Sequence, residues 1–328
     1  MKRMGALHRV GTAVFVAAGF LAPARAAEGK GVAPSAELAV RLEPGDVLTY
    51  AYRRWTRERA GSGATRVHRE RLTEGTVTVL VLETLAAGGL RVAVVGDLED
   101  EARQVSPEGR KPAKHRWRNA VVLRLSARLG PAGEGEALAA PGVGDAHLAE
   151  VPEGAPEIPP VVPAPFPPVS LGRLAKEGEW VEEMTPLASF GGPPPGRARH
   201  RVERPEARPE LALFTREMPG DEVNYTEHFL MDPAGRRLTA CEFTYHACGG
   251  AGNTRQVTSF EETARRRLDA EALASSVEAA REIEKVSPLL VKNPAGARRR
   301  LAALRKKAPG SPFAPAIDAA LAGLSGKE

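Results

Sequence analysis

Residues 76–99 carry the clearest pattern in the chain and predict a β-hairpin. Two runs of β-branched and aliphatic residues, 76–82 and 90–95, flank Ala86-Ala87-Gly88-Gly89, and glycine takes positive φ at the least cost. The apolar residues fall on both parities, Val77, Val79 and Val81 on one face and Leu80 and Leu82 on the other. A strand that is apolar on both faces belongs inside a sheet with cover on each side.

The same reading extends in both directions. Leu42-Glu43-Pro44-Gly45-Asp46 is a turn signal that launches a strand over residues 47–56, with Tyr50 and Tyr52 on one face. Residues 66–72 return, after a Gly61-Ser62-Gly63 loop, as a charged and solvent-facing strand. Over residues 116–129, Val121, Leu123 and Leu125 alternate with Val122, Arg124 and Ser126, the half-buried pattern of an antiparallel sheet. Strands do not alternate with helices here, which argues against a parallel α/β sheet.

Residues 130–169 break the pattern. Pro152, Pro156, Pro159, Pro160, Pro163, Pro165, Pro167 and Pro168 suit polyproline II and exclude a sheet interior. Beyond them, residues 179–184, 197–203 and 211–217 read as strands. Residues 222–231 and 237–247 form a hairpin over Asp232-Pro233-Ala234-Gly235, and residues 256–260 form a further strand. From residue 261 the period becomes helical. Leu273, Val277, Ala280 and Ile283 stripe one helix; Ala297, Leu301 and Leu304 stripe a second; Phe313, Ile317, Leu321 and Leu324 stripe a third. Asn293-Pro294 and Ser311-Pro312 supply the starts of the last two.

The expected fold is therefore mainly β (α+β): a curved antiparallel sheet in two sections with a Pro-rich insert and a C-terminal α-helical tail. The expected divisions are a signal peptide (1–26), a disordered lead-in (27–40), a first β section (41–129), a connector (130–175), a second β section (176–260) and the tail (261–328).

The signal peptide rests on Lys2, Arg3 and Arg9 ahead of an apolar run over residues 13–22, followed by Ala24-Arg25-Ala26. The run is shorter than the roughly 20 residues that span a bilayer. An exported chain, periplasmic or secreted, is expected. Cleavage after Ala26 removes four basic residues and no acidic ones, lowering the formal net charge from +5 to +1. That leaves no global excess to neutralise phosphates, and no nucleic-acid partner is expected.

Cys241 and Cys248 would lie about 23 Å apart on an extended strand, at about 3.3 Å per residue, whereas a disulfide needs about 7 Å between Cα atoms. Two arrangements stay open: a disulfide if the chain turns between them, or Cys241 in the core and Cys248 at a turn. His68, His115, His147, His200, His228 and His246 are scattered at no metal-ligand spacing, and no phosphate loop, GxSxG or HExxH occurs. No cofactor, metal or catalytic residue is expected. The local exception is His246 with Cys248, which share a strand face beside Gly249-Gly250 and supply the parts of a thiol nucleophile. Arg298, Arg299, Arg305 and Lys306 lie off the apolar stripe of the middle tail helix, as in helices that contact anionic surfaces.

A Gly-Asp strand opener, an Asp-x-x-Gly hairpin and a two-section sheet in an exported chain resemble the lipoprotein-carrier group of envelope proteins over about residues 40–260. That resemblance implies an open half-barrel holding acyl chains and carries over no functional residue. The Pro-rich insert, the helical tail and an aromatic content of 5% depart from it. The expected function is non-enzymatic binding of an apolar or amphiphilic ligand, a lipid for example, on the concave sheet face. The alternative is a scaffold whose cationic tail docks an envelope protein or makes peripheral contact with a membrane. A thiol or hydrolytic enzyme comes third.

Overall fold

The computed structural model describes residues 41–60, 67–85, 89–105, 113–125, 138–139, 178–184, 196–220, 223–234, 236–249 and 252–325. The expected signal peptide and lead-in, and the Pro-rich run, lie outside them.

Among these residues eleven strands form one antiparallel sheet. They are β1 (Asp46–Ala60), β2 (Val67–Thr84), β3 (Leu90–Val105), β4 (Ala113–Leu125), β5 (Leu138–Ala139), β6 (Gly178–Met184), β7 (Gly196–Glu203), β8 (Ala212–Met218), β9 (Val223–Asp232), β10 (Arg237–Gly249) and β11 (Gly252–Arg267). Every strand pairs with its sequence neighbours except at one place. The order is β5-β4-β3-β2-β1-β11-β10-β9-β8-β7-β6, so the first and last long strands pair with each other and the two free edges, β5 and β6, are consecutive in sequence. The two sections expected from the sequence are thus a single curved, unclosed sheet.

Three local readings change. β5 lies inside the stretch expected to be connector. β11 runs on to Arg267, past the boundary expected at residue 260, because Arg265 donates to Asp46 (2.8 Å) and Arg267 to Glu43 (2.7 Å) and both hold the strand against the start of β1. Residues 67–72 of the charged stretch open β2, and Arg71 turns to Asp100 (2.7 Å) instead of facing solvent.

The central hairpin forms as its pattern predicts, with β2 and β3 in register from His68–Val105 to Thr84–Leu90. Val77, Val79 and Val81 enter one apolar cluster and Leu80 and Leu82 the other. Gly75 sits between them at φ +153°, where an added Cβ would stand 2.2 Å from the Asp97 carbonyl oxygen.

The tail comprises α1 (Ala270–Val286), a single turn α2 (Leu289–Lys292), α3 (Pro294–Lys307) and α4 (Ala314–Ser325). Asp269 caps α1 by accepting from the Ala272 amide (2.8 Å), and Asn293 caps α3 by accepting from Gly296 (2.9 Å). The striped residues Ala280, Ile283, Ala297, Leu301, Leu304, Phe313 and Ile317 are buried against Val47, Leu80, Leu82, Ala93, Val95, Ala120 and Val122. We call this helix-covered face the outer face and the opposite one the inner face. Arg91, 5% exposed, fastens it by donating to Glu83 (2.8 Å) and to Glu284 of α1 (2.5 Å), while Arg281 donates to Glu83 from the other side (2.5 Å).

Candidate functional site

The inner face, the one without helices, carries the aromatic residues. In β1 the residues at alternate positions are Leu48, Tyr50, Tyr52, Arg54 and Thr56, and strand register extends this face sideways. Tyr52 opposes Phe260 of β11, Phe260 opposes Cys241 of β10, Cys241 opposes Phe229 of β9, and Phe229 opposes Phe214 of β8.

The rings touch in sequence across six strands. His200 stacks on Phe214 (centroids 5.8 Å apart) and Phe214 on Phe229 (5.7 Å). Phe229 meets Phe243 edge-on (5.6 Å), Phe243 meets Phe260 (6.3 Å), and Phe260 meets both Tyr52 (5.0 Å) and Tyr50 (6.4 Å). Edge-on and offset-stacked rings at these separations are favourable pairs. Although the aromatic content is low, these six rings and His200 are gathered on one face.

Beside this ladder, one or two positions further along each strand, the same face turns polar. Asp100 of β3 accepts from Arg71 (2.7 Å) and Thr73 (2.8 Å) of β2. Arg54 of β1 donates to Gln256 of β11 (2.7 Å), whose amide reaches Thr258 (3.4 Å). On β8 and β9, Arg216 pairs with Glu227. Asp100, Thr73, Thr258, Glu227, Arg216 and His200 are all buried. Exposure rises along β1 from Tyr50 (0%) and Tyr52 (2%) to half-buried Arg54 and Thr56, so the apolar part of the face is fully buried and the polar part beside it is partly open to solvent.

The electrostatics follow burial. Loss of solvent pushes the Tyr52 phenol up, with Arg54 and Arg71 working against the rise. Burial likewise pushes the Cys241 thiol well up, with the Glu227 carboxylate adding to it. Both tyrosines and Cys241 are neutral at ordinary pH and serve as apolar lining.

Of the residues singled out in the sequence, Cys241 and His200 lie on this face, whereas His228, His246 and Cys248 do not. Cys241 faces the inner cluster and Cys248 is exposed at the far end of the same strand. Both thiols are free, and the disulfide weighed for them is not formed because β10 runs on without a turn and points them to opposite faces. His246 and Cys248 do come together, with Nε2 and Sγ 3.4 Å apart, on the outer face and away from the ladder. His228 faces Thr215 (3.1 Å), and among the described residues no group of three His, Cys, Asp or Glu side chains is placed to hold a metal.

Of the expected anionic-surface contacts, Arg305 is held by both carboxylate oxygens of Asp318 (2.7 and 3.1 Å), Arg298 is half-buried, and Arg299 and Lys306 are exposed. The tail's apolar stripe is spent on the sheet. Among the described residues no helix is long and apolar enough to cross a membrane.

No protein family matches the sequence, and no curated protein matches it. Among solved structures the chain is similar to lipovitellin, in a structure of its lipid–protein interactions, at 9% identity and a TM-score of 0.39 over 70% of this chain and 26% of that one. The chain therefore spans about a quarter of the lipovitellin chain's length. It is also similar to the S-type phycobiliprotein lyase CPES from Guillardia theta, at 8% identity and a TM-score of 0.20 over 66% of this chain and 87% of that one. A third likeness is to Pseudomonas aeruginosa OccK7 (OpdD), at 8% identity and a TM-score of 0.17 over 66% of this chain and 63% of that one. At such scores none of the three carries an argument about this chain.

Proposed function

We propose that this chain is an exported, non-enzymatic binding protein whose inner sheet face holds an amphiphilic ligand. The observation that carries the reading is the continuous aromatic ladder from His200 to Tyr52 lying beside a belt of charged side chains on the same face. A core built for stability alone gains little from such a belt, since desolvating Arg216 and Glu227 offsets most of their mutual attraction and an apolar pair of equal volume would serve as well. A ligand with an apolar body and a polar end accounts for both halves of the face. The sheet is not closed, and β5 and β6 are its two edges. Export rests on the N-terminal basic, apolar and Ala24-Arg25-Ala26 segments.

Native mass spectrometry of the mature protein, isolated gently from its own envelope fraction and followed by solvent extraction, tests this reading. A reproducible lipid-sized adduct that is lost on denaturation is expected. A clean apo mass together with no quenching of tryptophan fluorescence by brominated acyl chains would overturn it, because Trp117 lines the same face.

A further inference from the structure

The polar belt is not electrically balanced. Arg71 is neutralised by Asp100 and Arg216 by Glu227, whereas Arg54 has a neutral amide, that of Gln256, as its hydrogen-bond partner and makes no ion pair among the described residues. Arg54 stands at the middle of the sheet, on the strand where the two halves join, between Thr73 and Thr258 and one alternate position beyond Tyr52. It is half-buried, at the point along β1 where the fully buried residues end. A half-buried guanidinium whose neighbours, the Gln256 amide and the Tyr52 phenol, are both neutral is a strong receptor for a planar or tetrahedral oxyanion.

We propose that the ligand carries one anionic headgroup, a carboxylate or a phosphate, which seats on Arg54 while its apolar chain runs down the face over Tyr52 and Phe260. This assignment rests on the amphiphile reading above and adds the charge of the head and the residue that reads it.

The test is calorimetric titration of the full mature chain, stripped of bound lipid, with three probes of one chain length: palmitate, hexadecyl phosphate and hexadecanol. Both anions bind at least about tenfold more tightly than the alcohol, and the tighter of the two names the head chemistry. Arg54→Gln brings both anions down to the level of hexadecanol and leaves hexadecanol unchanged. Gln256→Glu gives Arg54 a carboxylate of its own and has the same effect with the guanidinium still in place. Thermal unfolding within a few degrees of wild type shows that each variant is folded.

Equal affinity of the wild type for hexadecanol and the anions would overturn the headgroup assignment and leave the amphiphile reading standing. So would an Arg54→Gln variant that keeps the anion preference. Failure of all three probes to bind would overturn both.

Discussion

Arg265 donates to Asp46 at 2.8 Å although the two residues are 219 positions apart. The contact fastens the end of the last long strand to the start of the first, and the Glu43 amide donates to the same carboxylate at 3.0 Å. Asp46→Ala removes the acceptor of both and leaves half-buried Arg265 without its carboxylate. A loss of about 2 kcal/mol is expected, read as a lower urea midpoint with an unchanged denaturant slope.

Gly75 cannot be replaced at comparable cost. Its φ of +153° and the 2.2 Å approach of the Asp97 carbonyl to any Cβ require backbone movement in both β2 and β3. Gly75→Ala is expected to destabilise by about 3 kcal/mol, measured by thermal unfolding, while Gly310→Ala, with open space around it, leaves the midpoint within a degree or two.

The helical tail is expected to loosen in acid before the sheet does. Burial raises the Glu83 carboxyl, but the Arg91 hydrogen bond and the Arg281 and Arg91 charges outweigh it and hold the group below its ordinary value of 4.5. A carboxylate depressed in the folded state contributes stability that is present above its unfolded value and lost as pH falls through the folded one. Glu83 faces Arg91 of β3 and Arg281 of α1, with Glu284 beside them, so its protonation releases the clamp between tail and sheet. Hydrogen exchange in α1, corrected for intrinsic rates, should rise below about pH 4.5 while β1 and β11 stay protected. Glu83→Gln should remove that pH dependence.

The two cysteines are expected to behave oppositely toward a thiol reagent. Cys248 is exposed and Cys241 buried, with its thiol held protonated by the apolar surroundings. Native protein should take up about one equivalent of a maleimide, and protein unfolded in guanidinium about two. Silence of both thiols in the unfolded chain would mean a disulfide and a different path for β10.

Much of the fold was legible in local pattern. The two-sided run at 76–82, the shared face of Tyr50 and Tyr52, the Asp232-Pro233 turn and the helical stripes of the tail each depend on residues a few positions apart, and each formed as read. The union of the two sections was not legible, because β1 and β11 meet across most of the chain and neither strand advertises its partner. The site was hidden for the same reason. Phe214, Phe229, Phe243 and Phe260 lie fourteen to seventeen residues apart, about one strand and its turn, and that spacing was the available sign of a ladder. Nothing in the neighbourhood of Arg54 points to Gln256, 202 positions away. The boundary at residue 260 was set by the change to a helical period, whose first striped residue is Leu273; residues 261–267 carry no apolar alternation, and Arg265 and Arg267 are held in β11 by Asp46 and Glu43.

With β1 and β11 paired, the first and last strands lie at the centre of the sheet and the strands from the middle of the chain lie at its edges. The sheet therefore cannot be assembled in the order in which it is synthesised: β1 presents an open edge until β11, the last strand, arrives to cover it.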